Sequence, residues 1–159
     1  MNAHDFSFEG LSGGTIDLAA FKGRPVLVVY TASACGYTPQ YNELQALWSA
    51  MKERGLIVLG VPSNDFGAQE PGTAEQIAAF CEKNYGVDFP LAAKQKVVGG
   101  EAHPFFRWLT QELGEGGAPR WNFHKFLIGP AGEIAGVYAS RTKPDDPELT
   151  QKIEALLAR

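Results

Sequence analysis

Two apolar runs do most to limit what this chain can become. Pro25-Val26-Leu27-Val28-Val29-Tyr30 carries no charged or amide side chain before Thr31, and Leu56-Ile57-Val58-Leu59-Gly60-Val61 carries no polar side chain at all. Runs of this length without alternation read as strands covered on both faces, which places them in the middle of a sheet. The segment between them, residues 38–54, is expected to be helical, with Leu44, Leu47, Trp48 and Met51 forming one apolar stripe. Thr38 is expected to cap this helix, Pro39 to occupy its first position, Lys52 and Arg54 to fill its last turn, and Gly55 to end it. A strand, a helix and a strand in this order imply a right-handed parallel crossover.

The flanking segments extend this core. Phe6-Ser7-Phe8-Glu9-Gly10 alternates as a short edge strand, with Thr15-Ile16-Asp17-Leu18 as its partner across Gly13-Gly14. Thr73-Ala74-Glu75-Gln76 has the form of a capping box and predicts a helix to about Tyr85, closed by Gly86. His103-Pro104 opens another helix, with Phe106, Leu109 and Leu113 on one side. Residues 124–130 and 133–139 predict an antiparallel hairpin around Gly129-Pro130-Ala131-Gly132. Asp146-Pro147, after a solvated turn, starts a last helix with Leu149, Ile153, Leu156 and Leu157 inward. The sum is an α/β fold on the thioredoxin-like plan, a central mixed β-sheet flanked by helices. At 159 residues the expectation is a single domain over 1–159.

Composition narrows the classes of function. A net charge of −4 gives no support for binding nucleic acid or an anionic membrane. No window is apolar for long enough to span a bilayer, and Met1-Asn2-Ala3-His4-Asp5 lacks a basic segment followed by an apolar core, so the expected location is the cytoplasm. His4, His103 and His124 show no ligand spacing with the cysteines; no metal and no cofactor is expected.

The chain has two cysteines, Cys35 and Cys81. Cys35 falls between the first buried strand and the helix after it. A thiol at a helix mouth meets exposed N–H groups and the positive end of the dipole, which favour the thiolate. A free cysteine has a pKa of about 8.5, so a reactive one needs such help near neutral pH. Cys81 lies four residues after Ile77 and one after Phe80, on the apolar face of its helix, and is expected to be buried. A C-x-x-C pair is absent, because Thr38 stands three residues after Cys35.

Three segments resemble the glutathione peroxidase family: Ala32-Ser33-Ala34-Cys35-Gly36-Tyr37-Thr38-Pro39-Gln40-Tyr41, the stretch from Leu59 to Gly72 containing Asn64-Asp65-Phe66-Gly67-Ala68-Gln69-Glu70, and Trp121-Asn122-Phe123-His124-Lys125-Phe126-Leu127. They occur in the family's order, and the similarity extends over nearly the whole chain. The resemblance implies reduction of hydroperoxides, with Cys35 as the peroxidatic cysteine and Gln69, Trp121 and Asn122 as the neutral donors around it. It also implies, through the thioredoxin-dependent two-cysteine subgroup, that Cys81 resolves the Cys35 sulfenic acid as a disulfide that thioredoxin reduces. Because Cys81 should be buried, that step predicts local remodelling of residues 73–86. Cys81 as a core residue, a one-cysteine enzyme reduced by glutathione, and a peroxide sensor that passes oxidation to a protein all remain open at this level.

The sequence departs from the family pattern at Tyr30-Thr31, at Ala34 where lysine is frequent, at Asp65 in place of glutamine, and at Ser63 in place of cysteine. Asp65 is expected to add negative charge near the site. The short segment between Phe105 and Trp121 lacks the longer loop of tetrameric relatives, so a monomer or weak dimer is expected.

Overall fold

A computed structural model describes residues 1–114 and 121–158. Its centre is a four-stranded sheet whose strands are β3 (Val26–Thr31), β4 (Ile57–Pro62), β5 (Lys125–Ile128) and β6 (Ile134–Tyr138), in the spatial order β4-β3-β5-β6. β3 runs parallel to β4 and antiparallel to β5, and β5 pairs antiparallel with β6. The crossover and the hairpin are therefore as the pattern requires. The segment 115–120, which holds most of the short connection to Trp121, lies outside the described residues.

β3 is buried at every position. Its side chains alternate between two cores, with Val26, Val28 and Tyr30 on one side and Leu27 and Val29 on the other. The first core is aromatic: Tyr30, Phe105, Phe106 and Phe126 meet with ring centroids 4.9–5.7 Å apart. Helix α3 (Pro104–Leu113) supplies Phe105, Phe106, Trp108 and Leu109 to it. Leu113, expected inward, is instead exposed, because the helix ends there and its last turn runs past the core. The second core collects Tyr41, Leu44 and Leu47 of α1 (Gln40–Met51), Ile77 and Cys81 of α2 (Ala74–Tyr85), and Leu149, Ile153 and Leu156 of α4 (Pro147–Leu157). Each fully buried Phe or Leu contributes about 1.5–3 kcal/mol.

The first two strands, β1 (Ser7–Glu9) and β2 (Thr15–Asp17), pair as expected but form a separate two-stranded sheet rather than an edge of the main one. The outer edge of β4 is covered by residues 90–92: Gly60 N–H donates to Pro90 O at 3.0 Å and Ala92 N–H to Gly60 O at 2.8 Å. Covering that edge blunts it as a template for foreign strands. Gly60 lets Leu91 pack closely there: a Cβ would lie 2.6 Å from Leu91 Cδ2 and would force that side chain to shift.

Both ends of α2 and the start of α4 are legible in sequence; the ends of α1 are not. At α2, Thr73 Oγ1 accepts from Gln76 N–H and Gln76 Oε1 accepts from Thr73 N–H, and Gly86 closes the helix with φ +59°. At α4, Asp146 Oδ1 accepts from Glu148 N–H. Helix α1, by contrast, starts at Gln40 rather than 38, its N-cap is Pro39 without a side-chain cap, and residues 52–54 are a separate 3-10 turn. Thr38 is used elsewhere, as described below. Removing the α2 cap with Thr73→Ala should cost about 1 kcal/mol. Amide hydrogen exchange in residues 74–85 should accelerate while β3 remains protected.

Candidate active site

Three segments converge at the C-terminal end of β3. The first is β3's own continuation. Ala32 O accepts from Thr38 Oγ1 at 2.8 Å, and the same hydroxyl oxygen accepts from Cys35 N–H at 2.9 Å. Thr38 therefore folds the 32–38 loop on itself instead of capping α1. Short i→i+3 bonds, Thr38 N–H to Cys35 O and Gln40 N–H to Tyr37 O, carry the chain into the helix. Cys35 thus precedes the helix by a turn. Its sulfur nonetheless accepts a local backbone donor, Tyr37 N–H, at 3.4 Å. The thiol is 8% exposed, whereas Tyr37 beside it is exposed.

The second segment is the loop after β4. Gly67 and Ala68 both adopt left-handed backbone (φ +68° and +52°), which turns the chain back toward the first loop. There Gln69 O accepts from Ala34 N–H at 3.1 Å. Glu70 is buried; its Oε1 accepts from Ser33 Oγ at 2.7 Å and its main-chain carbonyl from Lys94 Nζ at 2.8 Å. Burial pushes the Glu70 carboxyl above the usual range, opposed by the Ser33 hydroxyl and the Lys94 charge. Asp65, expected to add negative charge near the site, directs its Oδ2 to the 97–98 backbone, accepting from Val97 N–H at 2.7 Å and Val98 N–H at 3.3 Å.

The third segment is the turn before β5. Phe123 is left-handed (φ +64°), and its N–H donates to Tyr30 O at 2.6 Å. Asn122 is fully buried, and its amide donates to Gln69 Oε1 at 2.9 Å and Phe66 O at 3.3 Å. That contact occupies the Gln69 oxygen and leaves the Gln69 NH2 group as a donor for another acceptor. The Trp121 indole lies 6.0 Å from the Phe66 ring, and its edge is so close to Gly67 that a Cβ there would sit 2.9 Å from Cη2. Trp121 is 36% exposed, so it borders solvent.

The structure thus ties the Gln69 loop to the Cys35 loop through Ala34 N–H and Gln69 O, joins Asn122 to Gln69, and packs Trp121 beside Phe66 and Gly67 of the same loop. Cys81 lies elsewhere, inside the α2 core and 1% exposed, and both cysteines are free thiols. Burial pushes the Cys81 thiol up; the Tyr41 hydroxyl opposes this and the Glu70 charge adds to it. Between the Cys35 loop and α2 is a cleft of about 240 Å³ lined by Ser33, Ala34, Glu70, Gly72, Ile77 and Phe80. Sequence reading missed Ser33, Thr38, Glu70 and Tyr41 as parts of this assembly. Only the adjacency of Ser33 and Glu70 to site residues hinted at them; their pairing across 37 residues has no local signature. Among the described residues no group of histidines, cysteines and carboxylates could hold a metal.

Comparison with known proteins agrees with this geometry. The glutathione peroxidase family model matches residues 3–110. The chain is 47% identical to a glutathione peroxidase homolog, BsaA, of Halalkalibacterium halodurans, covering 99% of this chain and 100% of that one. It is 45% identical to a hydroperoxy fatty acid reductase of Synechocystis over 97% of this chain and 95% of the relative. The crystal structure of Trgpx in apo form superposes with a TM-score of 0.79 at 35% identity, covering 100% of this chain and 97% of that one. A cysteine in the loop after β3, two further loops bonded to that frame and this likeness lead to one conclusion: the chain belongs to the glutathione peroxidase family, thiol peroxidases that reduce hydroperoxides.

Proposed function

We propose that Cys35 is the peroxidatic cysteine, that Gln69, Trp121 and Asn122 are its donors, and that Cys81 resolves the oxidised form for reduction by thioredoxin. The observation that carries the reading is the Asn122–Gln69 amide pair, anchored beside Cys35 through the Gln69 O to Ala34 N–H bond. Ionised Cys35 attacks the terminal oxygen of ROOH. The O–O bond breaks, the alkoxide leaves and takes a proton, and Cys35 becomes a sulfenic acid. Uncharged donors aimed at the departing oxygen stabilise charge that exists only in the transition state, each worth about 10²-fold in rate. Cys81 then attacks the Cys35 sulfur. An S–S bond forms, the S–OH bond breaks, and the Cys81 proton leaves with hydroxide as water. A dithiol of thioredoxin restores both thiols by exchange.

The burial of Cys81 sets a condition on this cycle. In the closed structure its thiol is protonated near neutral pH and shielded, so residues 73–86 must open before the bond can form. The helix is short, and short helices without packing are marginal. The substrates are hydroperoxides; the fatty-acid hydroperoxides named for the Synechocystis relative suit the exposed rings of Tyr37, next to Cys35, and of Trp121. No described helix is long and apolar enough to cross a membrane. A monomer or weak dimer in the cytoplasm is the corresponding cellular form.

NADPH consumption with hydrogen peroxide, run with thioredoxin plus its reductase and separately with glutathione plus its reductase, tests the cycle. Cys35→Ser should abolish turnover with either, and Cys81→Ser should abolish thioredoxin-supported turnover. Equal turnover with glutathione in Cys81→Ser would favour the one-cysteine alternative, and full thioredoxin-supported turnover in that variant removes Cys81 from the mechanism. Hydrogen exchange in residues 73–86 should be faster in the oxidised protein than in the reduced one. Gly67→Ala must both hold alanine at positive φ and displace the Trp121 ring. It should slow Cys35 oxidation at least ~10-fold in stopped flow while costing only about 1–2 kcal/mol of stability.

A further inference from the structure

Lys125 is a charged side chain that the cycle above leaves unused. It lies on β5, is fully buried, and faces Val29 of β3 and Tyr138 of β6 across the sheet. By alternation it shares the side of Leu127, whose core includes Tyr41, Leu44 and Phe123. Lysine is rarely buried unless paired. Here the partners are carbonyls: Nζ donates to Phe123 O at 2.7 Å and to Ser140 O at 3.4 Å. The charged or titratable groups on the elements around it are Glu43 of α1, which attracts it, Tyr41 of α1, Tyr30 of β3, Tyr138 of β6, and His124, the residue just before β5.

Both carbonyls belong to the site's frame. Phe123 closes the turn that presents Trp121 and Asn122, in a left-handed conformation that costs a non-glycine residue about 1–2 kcal/mol. Its N–H is fixed by Tyr30 and its C=O by Lys125. Ser140 O also accepts from Gln40 Nε2 at 2.7 Å, at the first residue of the helix that follows Cys35. One buried ammonium thus joins the turn that carries two donors to the base of the helix behind the thiol.

We propose that Lys125 is a positioning residue for peroxide reduction: its hydrogen bond to the Phe123 carbonyl holds the Trp121–Asn122 turn so that its donors meet the reacting oxygens. The inference rests on the reading of Trp121 and Asn122 as donors. Burial pushes the Lys125 amine down to about 7, with Glu43 opposing. Below that pH the bonds to the carbonyls are charge-assisted; above it they become weaker neutral bonds. The peroxide step should therefore lose positioning as pH rises through about 7.

The test compares two reagents on Cys35, hydrogen peroxide and iodoacetamide, with the product on the Cys35 peptide followed by mass spectrometry across roughly pH 5.5 to 9. Both consume the thiolate, so the ratio of their rates removes the ionisation of the thiol itself. Only the peroxide reaction needs the donors. In the wild type this ratio should fall several-fold as pH rises through neutrality. In Lys125→Met it should be at least ~10-fold lower at the acid end and flat with pH, with alkylation within about twofold of wild type. A wild-type ratio that is flat with pH overturns the inference, and this measurement needs no variant to fold. A Lys125→Met protein with the wild-type ratio and pH course, or one in which both rates fall together, overturns it as well. Trp121→Ala separates the two levels. If it keeps the wild-type ratio, the donor reading fails; if it lowers the ratio while Lys125→Met does not, only the role of Lys125 fails.

Discussion

The C-terminal end of β3 is the fixed point from which the site is built. Tyr30 gives its carbonyl to Phe123 N–H and takes the His124 carbonyl with its own N–H, while Thr31 O accepts from Ser63 N–H. The strand end is thereby bonded to the turn that presents Trp121 and Asn122 and to the loop that leads to Gln69, and it continues in the same chain to Cys35. These bonds hold because β3 is buried on both faces, where an unpaired backbone group costs about 1–3 kcal/mol. Backbone hydrogen bonding in a dry core is therefore what determines how the loops lie against one another.

The site built on this frame is almost wholly neutral. The three converging loops carry an Asn amide bonded to a Gln amide and an indole beside Phe66, while the Cys35 sulfur accepts a backbone N–H. Charged groups are present in the neighbourhood but are turned to structural ends. Asp65 caps the 97–98 backbone, and Glu70 fastens the Ser33 loop. Lys94 and Lys125 hold main-chain carbonyls. Neutral donors preorganised in a low-dielectric pocket stabilise charge as it develops without fixing it beforehand on either reactant.

The two thiols occupy contrasting settings. Cys35 lies in a loop held by side-chain and main-chain bonds, next to exposed Tyr37. Cys81 is packed with Ile77 against Tyr41, inside the second core. In the closed fold the second thiol is shielded from solvent. Any bond between them requires part of that core to be given up, which ties the chemistry to the stability of a single helix.

Much of this was readable in the sequence. The runs at 25–31 and 56–61 determined a buried parallel pair, because only strands covered on both faces can dispense with polar alternation. Thr73 with Gln76, Gly86 and Asp146-Pro147 marked helix ends, because capping is local chemistry within four residues. Cys35, Gln69, Trp121 and Asn122 were legible as members of ordered motifs. Tertiary structure alone decided what Thr38, Ser33, Glu70, Asp65 and Lys125 do. Thr38 looks like a cap but bonds Ala32 and Cys35, and Asp65 looks like a charge aimed at the thiol but bonds Val97. Lys125 falls in a predicted strand, and the fold encloses its side chain fully. The partners of Ser33, Asp65 and Glu70 lie 24–37 residues away, and sequence periodicity reports only which face a residue takes, not what the fold places opposite it.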